Sequence, residues 1–533
     1  MKMFARLAGL ALACASGTAM AAQAPAPADA PDLVVVISVD QLSTDLFNAY
    51  RPHFTGGLKR LASGVAFANG YQAHAATETC PGHSTILTGS HPARTGIIAN
   101  QWYDRDAARA DKTIYCAEDE RVAGSNSDDY TVSNVHLRVP TLGDHMKRAD
   151  PESRVVSVAG KDRSSVMMGG QAPDLRLYWQ DGRFVSPVDA PLPPVVAQVN
   201  AGVARAIATA RPPLTPPPYC TGRDRAVQVG SRTFGTHRFG RAAGDAGAWQ
   251  RSPEFDAATL TLAAALIQQM QLGRSGHTDL IAIGASATDY VGHSYGSGGM
   301  EMCLQLASLD ADLDAFFRLL DRAGIDYAVA LTADHGGLDI PERTGRGARV
   351  ERSATPSGVG AEIGRRLGLS GPVLTGDWYV AADVPAARRA EVVAMAREML
   401  AAHPQVEAVF TSAEVGAHPL PTTRPEQWSL LDKMRASYDP KRSGDLLVAL
   451  KEGVLNVMAR DTGSIAGHGS VWDYDRKVPI LFWWPGLLPQ DRPQSAQTVD
   501  ILPTLASLIG VPVAGEIDGK CLDLRPGEAT NCR

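Results

Sequence analysis

Two acidic–histidine pairs carry the first chemical signal in this sequence. Asp289 and His293 stand four apart in DYVGH, a spacing that a helix or turn brings to one side. Asp334 and His335 are adjacent in LTADHGG, while Asp40 lies in SVDQLS and His468 in AGHGS. Together they offer oxygen and nitrogen donors enough for two divalent metals, and carboxylate with imidazole favours zinc over calcium or magnesium. Each piece alone says little, because Asp-His pairs and lone histidines also serve as surface, capping or packing groups. Their shared context says more. Asp40, the segment from Gly284 to Asp289, and Asp334-His335 each follow an apolar run that reads as a buried strand, beside glycine-rich turns that let backbone approach a site.

A second feature is Thr77 to Gly89, TETCPGHSTILTG, which opens a short helix. Pro81 suits a first helical turn, where its missing N–H is not needed. Thr79 then sits at the helix N-terminus, where free N–H groups and the dipole favour an anion, or it serves simply as the N-cap.

These residues need strands and helices to hold them. Leu33 to Val39, Arg154 to Val158, Leu280 to Gly284, Tyr327 to Thr332 and Val478 to Trp483 read as core strands. Ala257 to Gln271, Met302 to Leu320, Ala386 to Ala402 and Asp500 to Leu508 have helical periodicity. The alternation predicts an α/β fold, a mostly parallel central sheet flanked by helices on both faces. Ligands of such sheets bind beyond the carboxyl ends of the strands, where the acidic residues fall. Residues of about 171–251, with the run PPLTPPP, and of about 341–463 read as insertions forming a cap over the site, so the catalytic domain is expected to span 33–533.

Composition agrees with a large globular protein. The chain has 533 residues, 44% apolar and 20% charged, with a net charge of −6 and no basic block, which argues against nucleic acid as a specific partner. Residues 1–22 read as a signal peptide: Lys2 and Arg6 precede a short apolar stretch and the small-x-small site Ala19-Met20-Ala21. A lipoprotein signal at Cys14 fits poorly after Ala11-Leu12-Ala13. Residues 23–32 form a Pro/Ala linker. No stretch reaches the length of a membrane span. A periplasmic or secreted monomer is expected. Beyond Cys14, six cysteines remain, an even number that suggests disulfides in an exported protein. Cys521–Cys532 is the first choice because it closes a short loop at a terminus; Cys80–Cys116 and Cys220–Cys303 follow as nearest neighbours.

The order Asp40, Thr79, Asp289/His293, Asp334-His335, His468, with the ending TVDILPTLASLIGVPV, resembles the alkaline phosphatase superfamily from about Leu33 to Leu522. Thr79-Cys-Pro-Gly-His83, Asn100 in ANQWYDR and Lys161-Asp-Arg163 in AGKDRSS look most like its threonine-nucleophile, phosphate-irrepressible members of the PafA type. The resemblance implies zinc in both positions, one held by Asp40, Asp334, His335 and the Thr79 oxygen, the other by Asp289, His293 and His468. It also implies Thr79 as nucleophile through a phosphothreonine, with Asn100, Lys161 and Arg163 binding the phosphoryl oxygens. A cation lowers the pKa of a coordinated hydroxyl, and two metals stabilise the entering and leaving oxygens.

Lys161 and Arg163 bear on substrate class. Two apart after a strand, in extended chain they point the same way. A monoester carries two negative charges on the transferred group and a diester one, so the pair favours small phosphate monoesters. KDR also reads as a solvated turn, as charged triplets commonly are. A phosphodiesterase or nucleotide pyrophosphatase shares the metals and the threonine. An arylsulfatase does not fit, because Pro81 follows Cys80 directly and no arginine comes two later. A cofactor-independent phosphoglycerate mutase conflicts with the export signal. A periplasmic binding or scaffold protein conflicts with the intact ligand set. His83 and His74 have no ligand spacing, and His83 is expected to pack or to support a ligand.

Overall fold

The computed structural model describes residues 30–187, 191–459, 462–525 and 530–532. The signal peptide and most of the linker, with Cys14, lie outside them. The centre is a nine-stranded sheet of β1 (Leu33–Val39), β2 (Val65–Tyr71), β3 (Val155–Ala159), β4 (Leu175–Gln180), β5 (Arg183–Val185), β6 (Asp279–Ala285), β7 (Tyr327–Thr332), β8 (Ile480–Trp483) and β9 (Gln490–Gln497). Their order is β9-β2-β8-β7-β1-β6-β3-β4-β5, and only β8 and β5 run against the rest. The mostly parallel sheet expected from sequence is present.

β1 shows why the sheet is covered on both faces. Leu33, Val35, Ile37 and Val39 pack into one apolar cluster with helices α3 (Glu254–Gln269) and α5 (Met300–Ala323). Val34 and Val36 point the other way, into a cluster with Ile86, Leu142, Met168 and helix α6 (Ile501–Leu508). Alternation along a strand sends successive side chains to opposite faces, so a continuous apolar run requires two cores.

Two expectations need correction. Residues 175–185, placed by sequence inside the first insertion, are β4 and β5 of the central sheet, paired to β3. Lys161 and Arg163 are not in extended chain: Lys161 is the N-cap of helix α2 (Asp162–Gly169) and Arg163 lies in its first turn. The second long excursion carries an apolar cluster of its own, running from Val350 to Val454. All three disulfides pair as nearest neighbours, Cys80–Cys116, Cys220–Cys303 and Cys521–Cys532. Among the described residues, no helix is long and apolar enough to cross a membrane.

Candidate active site

The site is built where β1, β6, β7 and β3 end. Asp40 leaves β1 with its N–H donating to Ala285 O of β6 at 2.9 Å. One residue past the Ser286 cap begins helix α4 (Ala287–Tyr295), which carries Asp289 and His293 one turn apart, with Asp289 Oδ1 3.2 Å from His293 Nε2. Asp334 and His335 follow β7. Thr79 is the first residue of helix α1 (Thr79–Ile86), and Glu78 before it provides no side-chain cap. The helix reaches the end of β7 because residue 82 is glycine: a Cβ there would lie 2.0 Å from Asp334 O.

The histidines reveal how the cluster is poised. His293 Nδ1 is 2.8 Å from Ala466 O, His335 Nδ1 2.9 Å from Gly336 O, and His468 Nδ1 2.8 Å from Thr77 O. A carbonyl can only accept, so each Nδ1 carries the hydrogen and a neutral ring turns the Nε2 lone pair inward. Burial lowers the pKa of His335 and drives that of His468 well down, which keeps both rings neutral; His293 moves up, since Asp289 outweighs its burial. His335 Nε2 lies 3.5 Å from Asp40 Oδ1 and 3.3 Å from Asp334 Oδ2, and all three residues are buried. Donor atoms of Asp40, Asp334 and His335 lie within 4.8 Å of one another, as do those of Asp289, His335 and His468. Imidazoles oriented through their Nδ1 atoms, beside clustered buried carboxylates, fit divalent metals bound by nitrogen and oxygen. His335 belongs to both groups, and His293 adjoins the second through Asp289.

Lys161 lies among these acids. Its Nζ is 2.6 Å from Asp40 Oδ2 and 2.6 Å from Asp289 Oδ2, and 3.4 Å from Thr79 Oγ1. Burial alone would discharge it, but Asp289 and Asp40 win and hold the ammonium charged. Burial would likewise raise Asp289, yet His293 and Lys161 hold it well below the ordinary carboxylate range. Arg163 is partly buried, its guanidinium 3.3 Å from Tyr115 Oη. Tyr115 and Tyr130 both donate to Asp162, at 2.7 and 2.9 Å, so the middle residue of KDR anchors the motif. Lys161 and Arg163 line one cavity of 170 Å³ with Tyr178, Trp179 and Tyr290. A larger cavity of 360 Å³ lies between the core, at Glu78, Ile98 and His468, and the 341–459 excursion, at Trp378 and Tyr379.

Asn100 is held on three sides. Its N–H donates to Glu78 Oε2 at 2.7 Å, its Oδ1 accepts from Cys80 N–H at 2.8 Å, and its carbonyl accepts from Cys116 N–H at 3.0 Å. With Oδ1 engaged, Nδ2 is the donating end of the amide. The Cys80–Cys116 disulfide therefore closes a frame around Thr79, Asn100 and, through Tyr115, Arg163. Replacing both cysteines by alanine is expected to cost about 2–4 kcal/mol of stability. Turnover should fall with it, as thermal unfolding and kcat on an aryl phosphate would show. An unchanged kcat would mean the frame holds without its covalent tie.

All seven candidate ligands and the three candidate phosphoryl-binding residues converge on this one region. His83 supports it, with Nδ1 2.9 Å from Thr79 O and 3.1 Å from Asp334 Oδ2. His74 is buried, with Nε2 3.1 Å from Gln72 Oε1, and belongs to neither donor group. Sequence reasoning missed Gln41, Glu78 and Tyr115. Only the adjacency of the first two to Asp40 and Thr79 could have drawn attention to them.

A family profile described as type I phosphodiesterase / nucleotide pyrophosphatase matches residues 34–471, and the chain belongs to that family. Within it, the chain is 52% identical over 518 residues to alkaline phosphatase PhoK of Sphingomonas sp, covering 94% of this chain and 92% of that one. It is 44% identical over 516 residues to alkaline phosphatase PhoD of Zymomonas mobilis, covering 94% and 89%. The crystal structure of alkaline phosphatase PafA superposes with a TM-score of 0.78 at 25% identity, covering 92% of this chain and 98% of that one. The PafA-type resemblance drawn from the motifs thus extends over nearly the whole chain.

Proposed function

We propose that this protein is an exported alkaline phosphatase that hydrolyses small phosphate monoesters with two bound zinc ions. Asp40, Asp334, His335 and the Thr79 oxygen would hold one ion; Asp289, His293 and His468 the other. Such ions supply charge neutralisation at the phosphoryl group and acidify a coordinated hydroxyl. The observation that carries the reading is Lys161 Nζ, charged, buried and 3.4 Å from the Thr79 hydroxyl.

The chain's own groups account for the rest. Thr79 Oγ1 gives up its proton to solvent and attacks phosphorus as the bond to the leaving oxygen breaks, and that oxygen takes up a proton from solvent and departs as the alcohol. The phosphoryl group stays on Thr79 at the start of α1, where N–H groups and the dipole favour an anion. Lys161, Arg163 and the Nδ2 end of Asn100 would bind its oxygens. Water then attacks phosphorus, the Thr79 oxygen leaves and takes up a proton, and inorganic phosphate departs. The 360 Å³ cavity beside His468 gives room for the ester's organic part. Three disulfides and the charged-then-apolar N-terminus support export.

The family's own description favours one second reading, a phosphodiesterase. Comparing kcat/KM of the zinc-loaded protein on an aryl phosphate monoester and the matching methyl aryl diester separates the two. A strong monoester preference is expected, and a diester preference would overturn the assignment. Chelation should abolish turnover, with zinc restoring it. It should also lower the unfolding temperature, since Asp40, Asp289 and Asp334 are buried together with Lys161 as the neighbouring ammonium. Full turnover of metal-free protein would dismiss the metal reading.

A further inference from the structure

Gln41 follows Asp40 with φ at 67°, a left-handed backbone that favours glycine, and it is 4% exposed. Its backbone N–H donates to Asp334 Oδ1 at 3.1 Å, and its Nε2 donates to Asp289 Oδ1 at 3.0 Å. It therefore binds a carboxylate from each of the two donor groups. The surrounding glycines make room for it. A Cβ on Gly292, inside the DYVGH turn, would lie 1.6 Å from Gln41 Oε1, and one on Gly337 would lie 3.0 Å from its Cγ and Cδ.

The unusual backbone has a clear consequence. Turning left after Asp40 aims one residue's main-chain donor at the end of β7 and its side-chain donor at helix α4. Asp334 Oδ1 then accepts from the N–H groups of both Gln41 and His335, while Oδ2 faces His83 Nδ1 at 3.1 Å and His335 Nε2 at 3.3 Å. Lys161 also spans Asp40 and Asp289, but as a cation that offsets their charge. An amide orients carboxylates without neutralising them, so they keep their full attraction for a metal.

We propose that Gln41 is a positioning residue that locks Asp289 and Asp334 in mutual register and so couples the two metal subsites. The inference rests on the two-metal reading above. Gln41→Asn tolerates the left-handed backbone but is one methylene too short to reach Asp289; Gln41→Met keeps the length and removes the donor. Zinc retained per chain is measured against a competing chelator, beside the unfolding temperature of the metal-free protein. The wild type is expected to hold two ions. Both variants should release at least one at about 10–100-fold lower chelator concentration, with metal-free unfolding close to wild type. Wild-type retention in both variants would overturn the proposal. So would a metal-free unfolding temperature that falls as far as the zinc-loaded one, which would mark Gln41 as a packing residue. A wild-type chain holding fewer than two zinc ions would remove the two-metal reading itself, and the coupling with it.

Discussion

Changing Thr79 to alanine is expected to reduce phosphate-monoester turnover by at least about 10⁴-fold while zinc stays bound. The size follows from the lack of a substitute. Thr79 Oγ1 is the hydroxyl beside Lys161 Nζ, whereas Thr77 Oγ1 donates to Ser470 O and Thr85 Oγ1 is engaged with Gln72, Gly82 and Thr498. The side chain is β-branched, 1% exposed and fixed at the start of α1, which limits the rotamers its oxygen can adopt. Thr79→Ser keeps the hydroxyl on a freer χ1, so it should restore turnover to a large degree. The direct measurement is a phosphoryl group on the Thr79-containing peptide of enzyme quenched in acid. It should appear in the wild type and be absent in Thr79→Ala. Substantial turnover by the alanine variant, with the zinc content intact, would mean that water attacks the substrate without a covalent step.

What could be read in advance follows from how local each signal is. β1 is buried on both faces and shows as an uninterrupted LVVVISV, so its bounds were legible. β9, QDRPQSAQ, is an edge strand with a register shift between Arg492 and Ser495 around Pro493, and it has no apolar signature to find. β4 and β5 sit after a polar turn that resembles the start of a loop. The metal-ligand candidates stand out in the sequence because acids directly after buried strands fall where such sheets bind ligands. Gln41 and Tyr115 do not, because their partners lie far off in sequence: Gln41 meets Asp289 across 248 positions, and Tyr115 meets Asp162 across 47. KDR stands on a helix N-terminus where the sequence suggests extended chain. Its convergence comes from the N-terminus of α2 and from Tyr115, not from extended-chain alternation.

That corrected geometry sets the second large effect. Losing both Lys161 and Arg163 to alanine is expected to weaken monoester hydrolysis by about 10³-fold or more, at about 2–4 kcal/mol for an oriented donor lost at a phosphoryl oxygen. Diester hydrolysis should barely change, because the transferred group of a diester carries one negative charge fewer for these cations to meet. The two residues differ in what else they do. Arg163 touches Tyr115 rather than the candidate ligands, so Arg163→Ala should bear mainly on the substrate. Lys161 is also the buried countercharge of Asp40 and Asp289, so its removal leaves two acids without an ammonium and raises their demand for metal. Zinc content must therefore be measured beside kcat/KM for each single variant and the double. A selective monoester loss at constant zinc would tie both cations to the dianion. A parallel loss on monoester and diester, or a loss that tracks zinc content, would instead assign the pair to assembly of the site, and the substrate class would then have to be set by the cavity beside His468.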